Sequence, residues 1–144
     1  MTPAQNRDFA AISVGETSVR EHTITAEMIA TFANLSGDYN PLHIDSAYAS
    51  TTPFGKVVAH GMLLGALVSE LVGMHLPGAQ CLLIKESLEF KLPVYVGDTV
   101  RIQGEVVHKS EATNLLEISI LITRAADTVA VGSVHTKILT PDAN

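Results

Sequence analysis

The sequence predicts an α+β fold in which a single antiparallel sheet curls around one buried helix. Two features of the chain carry that prediction. The run Gly61–Leu76 is apolar on nearly every face, with Glu70 its only charged residue, and a helix that is hydrophobic all round must be enclosed. Downstream, residues 80–139 hold four long β-favouring runs separated by short turn signals, which reads as an antiparallel sheet. A third observation bounds the architecture: 144 residues suit one domain, and no repeat, linker or low-complexity tract divides them. One domain over 1–144, with its core at about 14–139, is the expectation.

The elements follow in order. Ser18–Thr25 is rich in β-favouring residues and reads as an edge strand. Thr25 is the expected N-cap for a helix over Ala26–Leu35, with Glu27 near the positive end of its dipole and Gly37 as the stop. Met28, Ile29, Phe32 and Leu35 fall at helical spacing and predict one buried face. Asp45 can cap a turn through Ala49, and Pro53-Phe54-Gly55 marks a bend before the long helix, which ends at Pro77-Gly78. Leu82, Ile84, Leu88 and Phe90 then alternate with Lys85 and Glu89. Runs through Val100–Val106, Leu116–Ile122 and Val129–Leu139 complete a meander, with turns at Val96–Asp98, Glu111–Asn114 and Ala125–Asp127. An early strand, a buried central helix and a meander satisfy both apolar surfaces only if the sheet wraps the helix. This arrangement is called a hotdog.

Composition removes several function classes. A net charge of −6 with only 9 Lys and Arg, unclustered, disfavours a surface that tracks phosphates, so no nucleic-acid partner is expected. No run approaches the roughly 20 apolar residues of a membrane span, and the N-terminus lacks the pattern of a secretory signal, so the expected address is cytoplasmic with no membrane partner. The one cysteine, Cys81, lies in an apolar run and reads as an inert buried thiol. Six dispersed histidines without HExxH, and the absence of CxxC, predict no metal. The sequence also has no GxSxG, P-loop or GxGxxG. With no evident nucleophile and no cofactor motif, addition or elimination of water is favoured, since it needs only proton transfers and stabilisation of an enolate-like intermediate.

Two stretches can carry such chemistry. In Ser36–His43, Pro41 biases Asn40 away from the α conformation, so Asp38 and His43 lie on an irregular segment stiffened between helical pieces. An acid and an imidazole five residues apart can converge as an acid/base pair, although Asp, Asn and Pro also form such turns for conformational reasons alone. In Val57–Met62, Gly61 opens the buried helix, whose first amides lack intrahelical partners and can receive negative charge from a ligand oxygen. Gly61 can equally serve tight packing, and His60 can face the site or be a satisfied core histidine, the role its position at the helix start favours.

Phe32-Ala33-Asn34-Leu35-Ser36-Gly37-Asp38-Tyr39-Asn40-Pro41-Leu42-His43, with Ala49 six positions on, resembles the hydratase 2 motif of MaoC-like proteins. Together with Ala59–Leu63 and Leu88–Asp98, it is most similar to the short, single-hotdog (R)-specific enoyl-CoA hydratases that feed polyhydroxyalkanoate synthesis, over roughly residues 14 to 139. The resemblance implies syn addition of water to a trans-2-enoyl thioester, giving the (R)-3-hydroxyacyl product. Asp38 and His43 match the dyad that holds the water, with Asp38 as base and His43 helping to activate the water and relay its proton. Gly61 matches the residue whose N–H polarises the thioester carbonyl. It further implies Asn40 as an anchor behind the dyad and Ser69 as a residue lining the site. Met62 and Val72, the latter near Ser69 on the long helix, join them as expected substrate contacts. The expected partners are an acyl-CoA substrate, or an acyl carrier protein thioester with the same pantetheine arm, and a second copy in a homodimer. An acyl-CoA thioesterase of the same fold and a catalytically silent acyl-CoA binding module are the competing functions.

Overall fold

The computed structural model describes residues 2–139. Strand β1 (Thr17–Thr23) leads into helix α1 (Ala26–Ser36). Thr25 caps α1 by accepting a hydrogen bond from Met28 N–H, and Gly37 ends it in the left-handed region at φ 76°, as the sequence predicts. The buried face of α1 is narrower than the spacing suggests. Ile29 and Ala33 are buried, Met28 and Phe32 are partly covered, and Leu35 is 83% exposed.

Two short helices follow, α2 (Pro41–Ile44) and α3 (Ser46–Ser50). The segment expected to be irregular through His43 turns helical at Pro41, because proline's fixed φ suits the first helical position and its missing N–H costs nothing there. Asn40 keeps the extended conformation required before proline and caps α2 through its side chain, which accepts from Leu42 N–H. Asp45 caps α3, accepting from both Ala47 and Tyr48 N–H.

Helix α4 (Gly61–Met74) crosses the concave face of a sheet built from β1, β2 (Cys81–Phe90), β3 (Thr99–Ser110), β4 (Leu115–Arg124) and β5 (Asp127–Ile138). The strand order is β1-β3-β4-β5-β2, with every neighbouring pair antiparallel. The expected four-strand meander is therefore corrected. Only β3-β4-β5 is a meander, while β2 crosses over to pair with β5, so Val96–Asp98 belongs to a longer connection and not to a hairpin. Gly97 and Asp98 instead exchange main-chain bonds with Ile24, fastening that connection to the end of β1.

Alternate residues of the three central strands, among them Ile102, Val106, Ile118, Ile122 and Val134, bury their side chains against Leu64, Val68, Leu71 and Val72 of α4. At Gly104 an added Cβ would meet Leu71 Cδ2 at 2.9 Å, so the missing side chain sets how closely helix and sheet approach. The alternation predicted for β2 breaks at a register shift between Leu83 and Lys85, which leaves Leu82 and Ile84 each 54% exposed. Nor is α4 enclosed on every side: Met62, Ala66 and Ser69 form an open stripe one turn apart. One sheet can wrap only part of a helix's circumference.

Candidate active site

The two chemical stretches of the sequence meet at the N-terminal end of α4. Around the Gly37 stop, Ser36 Oγ donates to Phe32 O and accepts from Asp38 N–H at 3.1 Å, and Asp38 Oδ1 accepts from Asn40 N–H at 3.2 Å. The Asp38 side chain remains half exposed. On α2, His43 Nδ1 lies 2.6 Å from the carbonyl oxygen of Val58. A carbonyl can only accept, so Nδ1 carries a proton and Nε2 is the nitrogen left to exchange one.

His60 completes the arrangement. It is 2% exposed, its Nε2 donates to the main-chain carbonyl of Asp38 at 3.0 Å, and its ring stacks on His43 with centroids 4.0 Å apart and planes 30° apart. Asp38, His43 and His60 each offer a ligand atom within 4.8 Å of the others. A metal ion held by all three through His60 Nε2 would have to replace the bond between His60 and the Asp38 carbonyl. An acid and an imidazole each tied down through a separate atom fit the handling of a water and its proton better.

Helix α4 begins beside this cluster. His60 occupies its N-cap position without a side-chain capping bond; its carbonyl accepts from Leu63 N–H at 3.1 Å, while Gly61 N–H, the first amide, has no side-chain acceptor from the cap. Gly61 and His43 share a cavity of about 350 Å³, walled by Phe54, Val58, Leu64, Phe90 and the segment through Val94. A Cβ at Gly61 would meet the Phe90 ring at 3.0 Å, so the glycine leaves room between ring and helix start.

The wall of the cavity is itself anchored. Arg124 donates to Pro93 O at 2.9 Å and to Asp98 Oδ2 at 2.7 Å. Partial burial works against ionisation of Asp98, but the Tyr95 N–H and the Arg124 guanidinium outweigh it and hold its carboxyl below the usual carboxylate range. Ala59 N–H bonds to Val94 O at 2.8 Å, stitching this wall to the strand-like segment before α4.

Of the residues expected at the site, His43 and Gly61 line the cavity, and Asp38, bonded to Asn40 N–H, lies beside His43 at its margin. Ser69, Val72 and Met62 do not line this cavity: Met62 and Ser69 lie on the open stripe of α4, and Val72 is 1% exposed in the core. His60, Phe90 and the segment 91–94 are the contributors that sequence reasoning did not select for the site. The quoted Leu88–Asp98 stretch carried Phe90 and 91–94, but only the tertiary fold turns it toward Gly61.

Farther along the same side of α4, Glu86 of β2 faces Gly65, where an added Cβ would meet Glu86 Oε1 at 3.0 Å. That oxygen is buried without a partner among the described residues, and burial pushes the Glu86 carboxyl above its usual range. Between the ordinary and the raised pKa the folded chain binds more protons than the unfolded one, so this group's contribution to stability falls as pH rises through that window. Glu86→Gln is expected to raise the melting temperature at neutral pH, with the gain shrinking as pH is lowered through the window. Thermal unfolding of both proteins across that range checks it; a gain that grows toward acid would contradict the assignment.

Known proteins similar to this chain identify its family and fold. Residues 13–123 match the family described as MaoC like domain. The chain is 46% identical over 96 residues to the (R)-specific enoyl-CoA hydratase of Aeromonas caviae, a match covering 67% of this chain and 72% of that protein. Its structure superposes on the solved (R)-hydratase from A. caviae involved in PHA biosynthesis with a TM-score of 0.86 at 37% identity, covering 89% of this chain and 98% of the other. The R-hydratase PhaJ1 from Pseudomonas aeruginosa gives 0.90 at 33% identity, covering 96% and 89%. These neighbours share the hotdog architecture of a five-stranded antiparallel sheet and helices.

Proposed function

Because the chain belongs to the MaoC-like domain family, we propose that it is a hydro-lyase that adds water reversibly across trans-2-enoyl-CoA to give (R)-3-hydroxyacyl-CoA. The observation that carries the reading is the convergence of Asp38 and His43 beside the start of α4, where His43 and Gly61 open on one cavity. One water sits between the Asp38 carboxylate and His43 Nε2. As its oxygen bonds to C3, Asp38 takes a proton from it with His43 assisting, and the pair returns a proton to C2. Gly61 N–H receives the negative charge that develops on the thioester oxygen. Asn40 supports the dyad from behind by capping α2 and bonding to Asp38 Oδ1. No metal or organic cofactor takes part in this scheme.

Incubation with crotonyl-CoA tests the reading. Loss of the conjugated enoyl absorbance without release of free thiol is the expected result. Thiol release would identify the thioesterase, and binding without turnover would identify the silent module. The same assay with a crotonyl acyl carrier protein thioester compares the two carriers.

We further propose that the chain acts as a homodimer. Strand β2 lies at the edge of the sheet, exposing Leu82 and Ile84, and the unpaired main-chain groups of a ten-residue edge strand invite a further strand. A groove of about 330 Å³ between α1 and α4, lined by Met28, Phe32, Leu35, Leu63 and Ala66, adds apolar surface for a partner to cover. Covering it would also enclose Met62 and Ser69 and bring them toward substrate, with Val72 supporting the helix from the core. Sedimentation at micromolar concentration is expected to give twice the chain mass; a stable, active monomer would contradict the proposal.

A further inference from the structure

We infer that His60 is a positioning residue for the Asp38 and His43 pair, holding the Asp38 main chain by one ring edge and bracing the His43 imidazole with one ring face. The kinetic part of this inference rests on the hydratase reading above. Asp38 lies in the short connection between α1 and α2, where its carbonyl receives the His60 Nε2–H bond at 3.0 Å and no main-chain N–H among the described residues. That bond therefore sets where the carboxylate-bearing Cα sits. His43 is fixed at one edge by its bond to Val58 O, but a single hydrogen bond leaves the ring free to swing about it. The His60 face, 4.0 Å away and 30° from parallel, removes that freedom. Phe32 lies against His60 with centroids 4.9 Å apart, so the brace is itself backed by α1. The peptide after His60 leads directly into Gly61 N–H, which joins the same ring to the third element of the site.

A purely space-filling role does not account for histidine at this position. Its Nδ1 is buried with no partner among the described residues, a desolvation cost that an apolar ring of similar volume would avoid. The donor edge facing Asp38 is the feature that such a ring would lack.

Three substitutions separate the two contributions. His60→Gln keeps an amide donor near the Nε2 position but loses the ring, His60→Phe keeps a ring but loses the donor, and His60→Ala loses both. Hydration kinetics on crotonyl-CoA, thermal unfolding and the His43 ring-nitrogen NMR signals are measured for all three and for the wild type. His60→Ala is expected to lower kcat by about 10- to 100-fold with KM changed by less than about threefold, since the substrate is still bound but the reacting groups are misplaced. His60→Gln and His60→Phe should each recover part of the loss, and the Nδ1–H signal of His43 should shift or broaden where the ring face is gone. Wild-type kcat in folded His60→Ala overturns the inference, as does a loss that neither conservative variant relieves while the His43 signals stay unchanged. If His60→Ala does not fold, the Gln and Phe variants decide: reduced kcat in either, at wild-type melting temperature, supports positioning, and wild-type kcat in both overturns it. If the wild type itself shows no hydration, the functional reading fails separately, and the His43 signals alone judge the brace, unchanged signals in His60→Gln overturning it.

Discussion

Asp38→Asn and His43→Gln are each expected to lower kcat by about 10²- to 10⁴-fold, the range that a positioned acid or base typically supplies, while KM changes far less. The amide introduced by Asp38→Asn would keep an oxygen to accept from Asn40 N–H, so the turn around it should survive while the base is lost. The side chain introduced by His43→Gln would stay on α2, whose cap and proline start do not depend on the imidazole. The double variant should be little worse than either single one, because both groups act on the same water. Additive losses in steady-state kinetics would mean that the two residues serve separate steps. Near wild-type turnover in folded Asp38→Asn protein would reduce Asp38 to a turn-forming residue.

The largest expected effect on stability lies at Gly132→Ala. Gly132 of β5 pairs with Leu88 of β2 on one side and Ile120 of β4 on the other, and an added Cβ would overlap the main-chain oxygen of Ser87. Backbone in a three-strand ladder cannot step aside as a flexible side chain can. The cost should reach or exceed the usual 1–3 kcal/mol or so of overpacking, read as a lower urea midpoint. An unchanged midpoint would show that β2 does not run beside β5 in this register.

That pairing marks where the sequence stops being informative about the fold. Local chemistry was legible: the Thr25 and Asp45 caps, the Gly37 stop, the strand at the edge and the start of the long helix at Gly61 all follow from residues within a few positions of one another. The crossover of β2 to β5 is a choice of partner made across 40 (Phe90 with Ala130) to 57 (Cys81 with Ile138) positions, and alternating apolar residues fit either neighbour equally well. The slip between Leu83 and Lys85 and the open stripe of α4 escape for the same reason, since each depends on what another element covers. At the site, the spacing of Asp38, Asn40, Pro41 and His43 brought the acid and imidazole into view because one turn holds them all. His60 was ambiguous from sequence because its significance lies in contacts with Asp38, 22 positions away, and with His43 and Phe32. The walls at Phe90 and 91–94 reach the cavity only through the crossover itself.

The central claim is that one water is delivered by two groups gathered on one side of the substrate. The most direct measurement is the stereochemistry of hydration of crotonyl-CoA in deuterated water, reading the configuration at C3 and the face on which deuterium enters C2. The account predicts the (R)-3-hydroxy product with hydroxyl and deuterium added to the same face. An (S) product, or addition to opposite faces, would contradict it.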